Sequence, residues 1–262
     1  TFEENEMLTK TGPGTPMGDV FRRFWIPVLL SEELPAPDCT PVRLTILGEQ
    51  LVAFRDSSGK IGILDRRCPH RHADLFWGRN EDNGIRCVYH GWKFDSDGNC
   101  VDMPNTPEGE VFKDKVAAFA SYPTVERGGL VWTYMGPANL SPEFSEMEWT
   151  RVPANHVYIH KMFVDANYLQ TMEGDIDSSH APFLHSNLDS HEKGVGVSTR
   201  ATVPFFFRDL KPEWNVKETD YGLMVGARRN AGDDEYYWRV SQWFVPSYTY
   251  IPHRAGRAQQ CN

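Results

Sequence analysis

Cys68-Pro69-His70 and, after 16 intervening residues, Cys87-Val88-Tyr89-His90-Gly91-Trp92 decide how this chain is read. Each stretch offers one thiol and one imidazole within four residues. Each also follows a β-prone run, Ile61–Asp65 before the first and Ile85-Arg86 before the second. Two short loops leaving strand ends can bring their Cys/His pairs around one metal centre. The other reading, two buried core thiols with incidental histidines, leaves the spacing unexplained.

The remaining composition suits a globular metalloprotein. The 262 residues allow one large or two ordinary domains. With 40% hydrophobic and 24% charged residues the chain is globular, not disordered. Eighteen prolines and 21 glycines favour β-structure with many turns over a helical bundle. The net charge of −9 argues against a nucleic-acid partner. The apolar run Trp25–Leu30 is far too short for a membrane span, so no membrane partner is expected. Thr1–Lys10 is polar and unlike a signal peptide. Because the chain does not begin with Met, trimming of its natural start is expected. The five cysteines are Cys39, Cys68, Cys87, Cys100 and Cys261. An odd count without a secretory leader points to a reducing cytoplasm, where spaced cysteines more often hold metal than form disulfides.

Met17–Trp25 reads as a short helix. Val42–Leu47, Gln50–Arg55, Ile61–Asp65 and Gly129–Tyr134 read as strands, with Gly48-Glu49 as a tight hairpin turn. The Pro-, Ser- and Glu-rich stretch Pro137–Trp149 reads as a linker. It separates an N-terminal segment (1–40) and a first domain (41–137) from a second domain (138–262). There, a helix over Val164–His185 precedes strands at Thr199–Phe207, Glu213–Thr219, Leu223–Arg229 and Tyr236–Val245. In the last strand Trp238, Val240, Gln242 and Phe244 take one face, and Tyr237, Arg239, Ser241 and Trp243 the other. A helix packed on an antiparallel sheet is an α+β arrangement.

That helix carries a second constellation. Gln170, Glu173, Asp177 and His180 fall on one polar stripe, and Leu169, Met172, Ile176 and Phe183 on another face; either can be the buried one. His180 and His185 are five apart and do not share an ideal helical face. Pro182 between them is expected to kink the helix and bring His185 round beside His180. Two imidazoles and a carboxylate form the facial triad of non-haem Fe(II) oxygenases.

Two metals suit the first constellation: one tetrahedral zinc with Cys₂His₂, or a [2Fe–2S] cluster with two cysteines on one iron and two histidines on the other. Zinc fingers usually keep like ligands together, whereas each loop here mixes one Cys with one His. Cys68-Pro69-His70…Cys87-Val88-Tyr89-His90-Gly91-Trp92 resembles the Rieske signature C-x-H…C-x-x-H. Asp177-x-x-His180-x-x-x-x-His185 resembles the catalytic iron site of the Rieske non-haem iron aromatic-ring-hydroxylating oxygenases. Gly12–Gly18, Phe21–Trp25 and Cys87–Phe94 are similar to the phthalate dioxygenase-like branch of that family. The chain departs from the respiratory-chain Rieske type: Ala73 and Tyr89 stand where those proteins carry a disulfide, and Trp92 where they carry a serine. Fewer donors to the cluster sulfurs imply a low potential.

The resemblance implies an antiparallel β Rieske domain joined to a helix-grip (START-like) catalytic domain with an antiparallel sheet. It implies Cys68, His70, Cys87 and His90 as cluster ligands and His180 and His185 as ligands of a mononuclear Fe(II). Asp177 is implied as the carboxylate bridging this iron to a neighbouring subunit's Rieske centre, and Asn167 as a residue near the iron. The family's third ligand, a downstream Asp, is expected beyond the chain shown. Also implied are a flavin/iron–sulfur reductase fed by NAD(P)H, O₂ and an aromatic carboxylate as substrates, and a homotrimer or stacked trimers. Arg200, Arg228, Arg229 and Arg239 are candidate carboxylate clamps, each also readable as a surface residue. Phe205, Phe206, Phe207, Trp238 and Trp243 are candidates for an aromatic pocket or for core. A Rieske O-demethylase, an electron carrier without catalysis and a zinc-binding structural protein are the competing readings.

Overall fold

Leu51-Val52-Ala53-Phe54 has no polar side chain to leave in water, and the computed structural model buries all four. The structure describes residues 1–108, 110, 112–116, 119–184, 209–232, 234–251 and the strand at 260–261. The chain divides into two compact units, Thr1–Met162 and Phe163–Asn262.

The first unit opens with α1 (Phe2–Thr9), α2 (Pro16–Phe21), β1 (Trp25–Leu30), β2 (Val42–Ile46), β3 (Glu49–Arg55) and β4 (Ile61–Asp65). There follow β5 (Arg79–Asn80), β6 (Ile85–Arg86), β7 (Lys93–Phe94), β8 (Cys100–Asp102), β9 (Ser121–Tyr122), β10 (Thr124–Arg127) and β11 (Leu130–Tyr134). They form three antiparallel sheets, ordered β2-β3-β4-β9, β1-β11-β10 and β5-β6-β7-β8. Alternation along β3 serves two cores. Leu51 and Ala53 join one with Leu29, Ile63 and Val131. Val52 and Phe54 join another with Leu75, Ile85, Phe94 and the two thiols, Cys68 and Cys87. A strand buried on both faces reads as an unbroken apolar run. Burying each of the Leu, Val, Ile and Phe side chains contributes roughly 1.5–3 kcal/mol. Gly62 on β4 makes room for this packing, since a Cβ there would lie 2.7 Å from the Phe54 ring.

Two local readings are corrected here. The helix expected over Met17–Trp25 stops at Phe21, because Trp25 pairs with Tyr134 at the start of β1. Sheet pairing overrides local propensity at its end. The β2–β3 turn is Leu47-Gly48, not Gly48-Glu49: both central residues have positive φ (47° and 79°), and Ile46 pairs with Glu49. That is the demand of a type I′ hairpin.

The second unit holds α3 (Tyr168–Ile176), α4 (Ala181–Leu184), β12 (Glu213–Thr219), β13 (Gly222–Gly232), β14 (Glu235–Phe244), β15 (Tyr248–Ile251) and β16 (Gln260–Cys261). The strands form an antiparallel meander in sequence order. Directly paired residues share a face, so Val225, Ala227 and Arg229 lie with Ser241, Arg239 and Tyr237. Val225, Ala227, Arg229 and Ser241 are buried, which makes this the inner face; Trp238, on the other, is 48% exposed. The helix meets the sheet through Thr249 Oγ1 donating to Asp175 Oδ2 at 3.0 Å.

The single helix expected over Val164–His185 is broken. Asp177 is extended (φ −76°, ψ 114°), and its carboxylate accepts from Ser179 N, Ser179 Oγ and His180 N. A short acidic side chain that captures nearby backbone N–H groups competes with helix continuation. Pro182 therefore kinks nothing. It sits in the first turn of α4, where its missing N–H needs no partner. On α3 the apolar residues Leu169, Met172 and Ile176 are half-buried while Gln170 and Glu173 are exposed, so the apolar face is the inward one. The strand expected at Thr199–Phe207 lies outside the described residues. Among the described residues no helix is long and apolar enough to cross a membrane.

Candidate metal centres

The two Cys/His loops are built to one backbone pattern. Cys68 N–H donates to Ala73 O at 2.9 Å, and His72 N–H to Cys68 O at 2.8 Å. In the second loop Cys87 N–H donates to Trp92 O at 2.8 Å, and Gly91 N–H to Cys87 O at 3.0 Å. The fourth residue after each cysteine is left-handed: His72 at φ 56° and Gly91 at φ 79°. A Cβ on Gly91 would also sit 2.7 Å from Pro104 Cγ. Winding each loop this way turns backbone N–H groups onto the sulfur, those of His70 and Arg71 onto Cys68 and those of Tyr89 and His90 onto Cys87. Such donors favour a thiolate. The two buried sulfurs also hydrogen-bond each other, which pushes the Cys68 thiol up and holds Cys87 down at about 6.

The imidazoles gather beside them. The His70 and His90 ring centroids are 4.5 Å apart, and His70 stacks on Trp92 at 4.5 Å with planes 6° apart. Trp92 is fixed by its Nε1 donating to Asn105 Oδ1 at 2.9 Å. Burial first, then His90 and Arg71, hold the His70 pKa below its ordinary value and so keep the ring in its neutral, ligating form. His70 Nδ1 is buried without a hydrogen-bond partner. Buried polar atoms nearly always have a partner, and a metal ion would serve as one. Arg86 on β6 braces the second loop, donating to Gly91 O, Asp102 and Glu81 at 2.8, 2.7 and 2.7 Å.

Among the described residues no group of three or more His, Cys, Asp or Glu is disposed to hold a single metal ion. A tetrahedral zinc site needs four convergent donors. A cluster with two cysteines on one iron and two histidines on the other needs only paired donors, and the donors present fit that group.

In the second unit the structure brings Asp177 and His180 together and places Asn167 at the head of α3. Asn167 Oδ1 accepts from Leu169 N at 3.1 Å as the N-cap, an interaction worth about 1 kcal/mol. His180 Nδ1 lies 3.5 Å from Asp177 Oδ2. A carboxylate beside one ring nitrogen leaves Nε2 for a metal, the usual support of a ligating histidine. Burial raises the Asp177 pKa, but hydrogen bonds from Ser179 Oγ and N, with His180 alongside, outweigh it and leave the carboxyl below its ordinary value. His185 lies outside the described residues.

Two arginines differ from their expectation as substrate clamps. Arg228 pairs with Glu213 and covers the Tyr236 ring at 4.1 Å. Arg229 is 1% exposed and binds Ser178 and the backbone of Asp209; burial pushes its pKa down. Arg239 is half-buried on the inner face, and Arg200 lies outside the described residues. Sequence reasoning passed over Ser178 and the buried role of Arg229. The available signal was an arginine at the next inward position after Val225 and Ala227.

Comparison with known proteins agrees with this chemistry. The Rieske [2Fe-2S] domain profile matches residues 24–123, and a LigXa C-terminal domain-like profile matches 133–256. The chain is 43% identical over 251 residues to the 3-chlorobenzoate-3,4-dioxygenase oxygenase subunit of Comamonas testosteroni, covering 95% of this chain and 56% of that protein. It is 42% identical over 259 residues to the phthalate 4,5-dioxygenase oxygenase subunit of Pseudomonas putida, covering 96% and 58%. It is 38% identical over 236 residues to the 5,5'-dehydrodivanillate O-demethylase oxygenase subunit of a Sphingobium strain, covering 88% and 53%. The chain thus spans little more than half the length of these relatives. Dicamba monooxygenase bound to 3,6-dichlorosalicylic acid superposes with a TM-score of 0.63 at 25% identity, covering 88% of this chain and 67% of that one.

Proposed function

We propose, starting from a chain that belongs to the phthalate dioxygenase-like branch of the Rieske non-haem iron oxygenases, that it is the terminal oxygenase component of a multicomponent system hydroxylating an aromatic carboxylate. The observation that carries this is the presence of two separate donor sets, paired Cys/His loops in one unit and Asp177 with His180 in the other. When bound, the cluster supplies single electrons drawn from NAD(P)H through a flavin/iron–sulfur reductase, and the mononuclear iron supplies O₂ activation.

The chain's own residues divide the remaining work. Cys68 and Cys87 would hold one iron of the cluster, their charge met by four backbone N–H groups. His70 and His90 would hold the other, with Trp92 stacked against the His70 plane. His180 and His185 would hold the mononuclear iron, and Asp177, beside His180 Nδ1, would orient that ring and link it to the Rieske centre of a neighbouring subunit in a homotrimer or stacked trimers. Asn167 starts the helix that delivers Asp177. On the sequence boundaries the Rieske domain is 41–137 and the catalytic domain 138–262. Arg239, half-buried on the inner sheet face, is the candidate to meet a substrate carboxylate. The system operates in the cytoplasm.

The O-demethylase relative and the dicamba monooxygenase structure support a second reading, in which one oxygen atom hydroxylates a methoxy group. Product analysis under ¹⁸O₂ with benzoates, phthalates and methoxybenzoates separates the two: a cis-diol carrying two labelled atoms supports dioxygenation, and a phenol with released formaldehyde supports demethylation. Only two irons per chain in anaerobically prepared full-length protein would leave an electron carrier, and zinc alone a structural protein.

A further inference from the structure

Arg229 is the largest fully buried side chain among the described residues, in a place where β13 otherwise turns apolar residues inward. Three of its hydrogen bonds end on neutral oxygens. Nη1 donates to Ser178 Oγ at 3.1 Å, Nη2 to Ser178 O at 2.9 Å and Nε to Asp209 O at 3.1 Å. Two of the three fall on one residue, which is itself 5% exposed. Ser178 lies inside the four-residue break between α3 and α4, flanked by Asp177 and two residues before His180. From the other side the Asp177 carboxylate grips Ser179 and the His180 N–H. The turn is therefore pinned from the sheet by the guanidinium and from within by the carboxylate.

A buried cation is a costly way to fill core volume, and an apolar residue of similar size would do so as well or better. What the guanidinium adds is a planar fork with fixed donor directions, which a point-charge ammonium lacks. We propose that Arg229 is a positioning residue for the mononuclear iron site: by clamping the main chain and hydroxyl of Ser178 it sets the separation and orientation of Asp177 and His180. The inference rests on the reading of His180 as an iron ligand.

The test uses full-length holoenzyme loaded anaerobically with Fe(II), as wild type, Arg229→Met, Arg229→Lys and Ser178→Ala. The readouts are the rate at which a ferrous chelator removes iron from the mononuclear site and the intensity of the reduced-cluster EPR signal. Disturbing residues that orient a metal ligand typically costs about 10–100-fold in metal affinity or activity. Arg229→Met is expected to lose its mononuclear iron at least about ten-fold faster with the cluster signal unchanged. Arg229→Lys and Ser178→Ala are expected to fall between it and wild type. If Arg229→Met does not fold, these two milder variants decide. Wild-type iron retention in both of them, or in Arg229→Met, overturns the proposal. Wild-type protein that binds only the cluster's two irons overturns the parent reading instead.

Discussion

Gly91→Ala and His72→Gly test whether the two ligand loops are the same backbone device. Both positions lie four residues after the loop's cysteine with positive φ, and both N–H groups bond that cysteine's carbonyl. Placing an L-side chain in the left-handed region costs roughly 1–2 kcal/mol. At Gly91 the new Cβ would also meet Pro104 Cγ at 2.7 Å. A proline ring cannot swing aside as a flexible side chain can, so overpacking adds about 1–2 kcal/mol more. The total for Gly91→Ala is about 2–4 kcal/mol. His72→Gly relieves the left-handed cost but adds conformational freedom to the unfolded chain, two effects of about 1 kcal/mol that nearly cancel. Cluster loss makes unfolding irreversible, so the assay is the first-order bleaching rate of the visible cluster band in guanidinium. If half the destabilisation falls on the unfolding barrier, Gly91→Ala bleaches about 5–30 times faster than wild type. His72→Gly stays within about two-fold. Equal rates for the two variants, or a wild-type rate for Gly91→Ala, would refute the claim that left-handed backbone at this position builds both loops.

Three further outcomes follow from the same geometry. Cys87→Ala is expected to abolish the visible absorption and EPR signal of the cluster, and a retained signal would exclude Cys87 as a ligand. Asp177→Asn is expected to keep three irons per chain by elemental analysis while slowing turnover. Wild-type turnover in that variant would remove the bridging role. Arg86 holds Glu81 and Asp102 below their ordinary pKa values by hydrogen bonds. A depressed carboxylate pKa gives stability that is present above the unfolded values near 4 and lost as pH falls through the folded ones. Cluster bleaching should therefore accelerate below about pH 4 in the wild type, and Arg86→Met should flatten that dependence.

The metal loops were legible because their information is local. A thiol and an imidazole within four residues, at the end of an apolar strand, declare themselves without reference to the rest of the chain. The strands of the first unit were legible for the same reason, through alternation and turn residues. The α3–α4 break was not, although its cause is also local. Gln170, Glu173, Asp177 and His180 sit at helical intervals, and periodicity alone reads them as one face. Periodicity is blind to competition: Asp175-Ile176-Asp177-Ser178-Ser179 is rich in short polar side chains that take backbone N–H groups for themselves. Arg229 was only half legible: its inward register follows from Val225 and Ala227, but what it holds is recognised only when its partner, 51 residues earlier, is known. These two blind spots fall on the same four residues. A continuous helix would hold Asp177 and His180 at fixed angles on one cylinder. A turn leaves the orientation of both side chains to be set by outside contacts, and the sheet supplies one through Arg229. A site built this way depends on a distant strand for its geometry, so on the proposed reading of His180 substitutions on β13 should alter iron binding without touching a ligand.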